Sequence, residues 1–150
     1  MAYLNFKRGR YLLTVSVAEV GLGFSYAFEE TATRAAMFSW LPFSTQWIGA
    51  TIIALGILAG VAAFRSYDSA RWDSTGWKAA MGTAWGLTLL WIMAAARAMA
   101  DSNPMTSGWT PWATALVYGA MALLIWEASD WPNPQPTDGW ADDDTPETLR

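Results

Sequence analysis

Residues 47–64 read WIGATIIALGILAGVAAF, a run without one charged side chain. A helix needs ~20 mostly apolar residues to cross ~30 Å of hydrocarbon. A helix on the outside of a soluble bundle shows a polar face, with charges recurring turn by turn. This run has no such face and reads as a membrane span. Three further apolar runs flank it, at 11–28, 79–98 and 112–128. The expected fold is therefore all-α: a polytopic four-helix transmembrane bundle. Short connections make successive spans antiparallel.

Tryptophan supports the same reading. Trp40 and Trp47 bracket the start of the second span, and Trp72 and Trp77 precede the third. Trp109 and Trp112 open the fourth, and Trp126 and Trp131 close it. Amphipathic rings at span ends form an aromatic belt at headgroup level. Trp85 and Trp91 fall mid-span and are expected to pack between helices. The eleven tryptophans and the polar tail hold the mean hydropathy to only +0.17.

Sidedness follows from Lys and Arg. Lys7, Arg8 and Arg10 precede the first span, and Arg65, Arg71 and Lys78 lie between the second and third. Positive residues favour the cytoplasmic side, so both termini are expected there, in a bacterial inner membrane. Residues 1–27 also admit a signal-peptide reading, with Ser25, Tyr26 and Ala27 as the cleavage signal, but Glu19 inside the apolar core argues against it. The segment 29–41 has helical character, with Ala35, Ala36, Phe38, Trp40 and Leu41 expected along the membrane surface. Pro42 ends it. Residues 1–10 form a basic N-terminus, 11–128 the transmembrane domain, and 129–150 an acidic tail. The tail's alternating prolines and Asp142, Asp143 and Asp144 predict disorder.

The chain has no cysteine and no histidine. That removes thiolate chemistry, the commonest general base and the commonest metal ligand. There is no P-loop, nucleophile elbow or HExxH motif. No catalytic set, metal or cofactor is expected, and the chain reads as non-enzymatic. The net charge of −4 and the acidic tail give no basic nucleic-acid surface.

Glu19 is the most informative position. A charge at the bilayer centre costs ~2.5–3.5 kcal/mol on insertion scales, and such residues face a bundle interior or a water path. Counting from Arg10 at ~1.5 Å per residue puts Glu19 ~13 Å deep. Ser16, Glu19, Gly23, Tyr26 and Glu30 recur at three- and four-residue spacing and share one face. Thr88 and Tyr118 lie at a similar depth, as hydrogen-bond partners for the carboxyl. Two readings stand: a titrating or pore-lining face, or a buried carboxyl that fixes packing through hydrogen bonds. Arg97 is expected to form an interfacial ion pair with Glu29 or Glu30. Gly56 with Gly60, and Gly82 with Gly86, form two GxxxG pairs for helix packing or self-association.

The five residues Val17, Ala18, Glu19, Val20 and Gly21 resemble the first helix of small multidrug resistance transporters, which are also short four-helix proteins. That resemblance implies proton-coupled export with Glu19 as the shared proton and substrate site. In architecture the chain is similar to phage holins, small multi-span proteins with charged tails. This second resemblance implies self-association and permeabilisation of an inner membrane. A third expectation is an accessory or scaffold subunit that binds another membrane protein. Expected partners are the lipid bilayer, further copies of the chain, or that membrane protein.

Overall fold

The computed structural model describes residues 7–29, 31–65, 70–101 and 109–131. Expectations for Glu30, the first six residues and the tail beyond Trp131 lie outside the described residues. Five helices occur among them: α1 (Lys7–Phe28), α2 (Ala32–Phe38), α3 (Thr45–Arg65), α4 (Ala70–Asp101) and α5 (Thr110–Ser129). All but α2 are long and apolar enough to cross a membrane.

Three of the long helices start within two to four residues of the expected spans. The fourth departs. α4 begins at Ala70 rather than 79 and has 32 residues, or ~48 Å at ~1.5 Å per residue. Its first turns are too polar to register as an apolar run, yet they are anchored. Asp73 and Trp77 are both buried, held against the start of α1.

The tightest pairing is α1 against α3, and glycine makes it. A Cβ on Gly49 would fall 2.5 Å from the Ala27 nitrogen, and one on Gly23 would fall 2.8 Å from the Gly49 oxygen. One on Gly56 would meet Val20 and Glu19, and one on Gly60 would meet Ser16. The order of these contacts runs up one helix and down the other, so the pair is antiparallel. Gly56 and Gly60 thus lie on a helix contact. Gly82 and Gly86 do not, because a Cβ on either meets nothing within 4 Å. They face outward, and the intramolecular half of that expectation is corrected.

The interior is rich in alanine. Ala59, Ala63, Ala80 and Ala122 surround Leu12, Trp77 and Ile125 at the α1 N-terminal end. At the other end Tyr26, Met37, Phe38, Leu87 and Trp91 form a second cluster. The outside carries Val17, Phe24, Ile57, Phe64, Leu89, Leu116 and Leu123, all exposed. Long apolar helices with such side chains on the outside are compatible with a membrane helical bundle.

α2 differs from expectation. Thr31 caps it by accepting from the Arg34 backbone N–H at 3.2 Å. Its last residues Met37 and Phe38 are buried rather than spread on a surface. The Phe38 ring meets Trp91 edge-on at 5.1 Å. The segment therefore plugs one end of the bundle.

Candidate functional site

The described part of the polar stripe on α1 points inward along its whole length. Ser16, Glu19, Gly23 and Tyr26 are all buried. Three polar layers result, one at each end of the bundle and one between.

At the α1 N-terminal end, Arg8 is the centre. Its Nε donates to Asp73 Oδ1 at 3.2 Å and its Nη2 to Oδ2 at 2.6 Å. Nη1 donates to the backbone carbonyls of Ser129 and Trp131. A cation on the last carbonyls of α5 also complements the helix dipole. Trp77 Nε1 donates to Asp73 Oδ1 at 3.1 Å, and Arg8 lies 5.1 Å over the Trp77 ring. Arg8 thus ties the start of α1 to the start of α4 and the end of α5, so the two outermost described helices end together. The Trp77 ring, expected in the belt, is core instead.

At the opposite end, Trp91 Nε1 donates to the Tyr26 hydroxyl at 2.7 Å, and the Tyr118 hydroxyl adjoins it. Arg34 lies 4.2 Å over the Tyr26 ring. It donates to the carbonyls of Ser25 (2.6 Å) and Glu29 (2.9 Å), closing the end of α1. Arg34 thus meets Glu29 through its backbone carbonyl, and the Glu30 half of the ion pair expected of Arg97 lies outside the described residues. Arg97 is exposed on α4.

Glu19 lies in the middle layer and is only 3% exposed. Its Cβ rests beside Gly56. Thr83 of α4 faces its carboxyl, but the Thr83 hydroxyl donates to the Ala79 carbonyl at 3.2 Å. Among the described residues neither Glu19 oxygen meets a donor in hydrogen-bonding geometry, and the Thr83 side chain is the one polar group that stands close to the carboxyl. The expected partners sit elsewhere. Thr88 donates to Ala84 O at 2.8 Å and packs against Gly119. Tyr118 belongs to the Tyr26 layer. Thr83 and Thr88 are five residues apart, about 140° round the helix, so only one of them can face α1. Ser16, one turn from Glu19, donates to the Gly56 carbonyl at 2.8 Å.

Compared with known protein families, curated proteins and solved structures, the chain matches none. The chemistry of the site rests on its own geometry.

Two open apolar grooves flank α4. One, of about 420 Å³, lies between α3 and α4 and includes Trp47, Thr51, Gly82, Thr83 and Gly86. The other, of about 400 Å³, lies between α4 and α5 and includes Trp85, Thr88 and Gly119. Trp85 therefore lines an outer groove instead of packing inside, as Trp91 does. Glu19 lines neither groove. Among the described residues no three acidic groups converge as a metal site. The site can hold a proton on one carboxyl; it offers no nucleophile paired with a base. Arg8, Asp73, Thr83 and Arg34 went unrecognised as site residues in the sequence. The i, i+4 pair Asp73 and Trp77 was the available signal for the first layer.

Proposed function

We propose that the chain is a non-enzymatic, multi-pass protein of a bacterial inner membrane, with both termini cytoplasmic, that self-associates and permeabilises that membrane in a holin-like manner. The closed bundle described above is its resting form. The observation that carries this reading is the unpartnered carboxyl of Glu19 on a stripe hidden inside the bundle. A carboxyl kept for packing is expected to make hydrogen bonds. Glu19 has only the Thr83 side chain nearby, whose hydroxyl donates to its own helix, and glycines and Ser16 already do the packing of α1 on α3.

A buried acidic group without a partner has a cost, and at intramembrane positions that cost is associated with function. In the closed form the stripe is covered by α3 and α4. α1 packs mainly on α3 and little on α4, and α3 meets α4 less than it meets α1, so α1 and α3 would part from α4 as a pair. That motion uncovers the side of α1 that faces α4, Glu19 included, and supplies a polar group that the apolar perimeter lacks.

The chain has no cysteine, so a single Ala80→Cys variant, at a buried position of α4 packed against α1 and α3, tests this directly. A membrane-impermeant thiol reagent should leave Cys-bearing protein unmodified in energised cells and modify it once the membrane depolarises. Depolarisation with that position still protected would place the leak elsewhere. The second reading is a scaffold subunit for another membrane protein. It is favoured by the packed interior, since neither groove flanking α4 reaches Glu19. The same feature counts against transport through the bundle.

A further inference from the structure

The bundle is tied unequally along its length. At the α1 N-terminal end the central tie is charged. Arg8 donates to Asp73 of α4 and to the carbonyls of Ser129 and Trp131, at and just past the end of α5. Trp77 donates to the same carboxylate. The Tyr11 ring stacks on Trp77 at 6.2 Å and meets Trp131 at 5.6 Å. Arg65 of α3 lies 5.2 Å over the Trp72 ring of α4. At the opposite end α4 reaches α1 through the neutral bond from Trp91 to the Tyr26 hydroxyl. Charge-assisted hydrogen bonds are roughly twice as strong as neutral ones. Arg97, near that end, is exposed, and an exposed ion pair contributes little.

The spacing of α3 and α4 follows the same gradient. Close to the Arg8 centre, a Cβ on Gly76 would fall 2.5 Å from the Ala62 Cβ and 3.0 Å from Leu12 Cδ2. Toward the Tyr26 end the two helices stand apart across the groove of about 420 Å³, and a Cβ on Gly82 or Gly86 meets nothing within 4 Å. α1 and α3 are close-packed toward both ends, Gly49 against Ala27 and Gly60 against Ser16. α2 belongs with them, because Arg34 donates to the Ser25 and Glu29 carbonyls. It meets α4 through the Phe38 ring on Trp91.

We propose that the bundle opens from the Tyr26 end. α1, α2 and α3 swing together off α4 and α5, with the Arg8 centre and Gly76 as the hinge, and the Arg8 layer is the last to part. This deepens the permeabilising reading by giving the order of parting, and rests on it for the parting itself.

The test uses the full chain in lipid nanodiscs, which present both membrane faces to a water-soluble maleimide. Ala80 and Ala94 are equally covered in the closed bundle, at 0% and 1% exposure. Of single Ala80→Cys and Ala94→Cys variants, Ala94→Cys should react first. Adding Tyr26→Phe should speed Ala94→Cys about threefold, the weight of one average hydrogen bond between membrane helices. Adding Trp77→Phe weakens the Arg8 centre and should leave that rate unchanged, because a bond present before and after opening does not shift the equilibrium. Ala80→Cys reacting as fast as Ala94→Cys, or Trp77→Phe speeding Ala94→Cys, overturns the order of parting. An Ala94→Cys variant that stays protected overturns it too, and the comparison of the two cysteines stands even where Trp77→Phe fails to fold. The readout needs no leak, so a wild type that leaves the membrane potential intact sinks the permeabilising reading alone.

Discussion

Arg8 and Asp73 meet through two hydrogen bonds in a fork-to-fork geometry, with both side chains about nine-tenths covered. Removing one member of a buried ion pair leaves the other charge uncompensated and costs ~3–5 kcal/mol. Arg8→Ala or Asp73→Ala should therefore lower the thermal unfolding temperature in detergent sharply. The double variant should lose much less than the sum, and additive losses would show that the pair is not coupled. At the other end, Tyr26→Phe deprives Trp91 Nε1 of its acceptor. An average hydrogen bond between membrane helices contributes ~0.6 kcal/mol, so this loss should be small. Glu19→Gln makes no break in a hydrogen-bond network and is expected to leave stability within about 1 kcal/mol of wild type. A large loss would restore Glu19 to a packing role. Glu19 stood out in the sequence because an acid inside an apolar run is rare. Its neighbour did not, because choosing Thr83 over Thr88 requires the rotation of α4, which no local pattern sets.

For the helices, the four glycines of the two GxxxG pairs separate into two classes. Gly56 and Gly60 face α1, and Gly82 and Gly86 face outward. Overpacking a tight contact costs ~1–3 kcal/mol. Gly49→Ala should be the most severe of the alanine substitutions, because its new Cβ would meet the Ala27 backbone at 2.5 Å and backbone cannot swing aside. Gly60→Ala meets the Ser16 hydroxyl, a movable group, and should cost less. Gly86→Ala should be neutral or slightly stabilising, since glycine in a helix is ~1 kcal/mol less favourable than alanine. Denaturant titration of the three variants in one detergent checks the order, and a destabilised Gly86→Ala would contradict it. The four long helices were legible because their apolar runs are long. The first turns of α4 were not, because Asp73 and Lys78 interrupt hydropathy there while burial against Arg8 keeps the helix going. α2 was legible as helical but not as inward-facing, since its burial depends on Tyr26 and Trp91 more than ten residues away in sequence.

Taken whole, the molecule has an apolar outside and a packed inside whose polar groups lie in three layers. Between the Arg8 layer and Glu19 the interior is filled by Leu12, Val15, Ala59 and Ala80, so no continuous polar path crosses the closed bundle. On the proposed function, conduction has the layers part under the control of Glu19. Membrane potential in living bacteria during induced expression tests this most directly, with wild type and Glu19→Gln compared at equal membrane abundance. The proposal predicts sudden depolarisation and growth arrest with wild type, and delay or loss of both with Glu19→Gln. An unchanged potential with wild-type protein confirmed in the membrane would contradict it and leave the scaffold reading in its place.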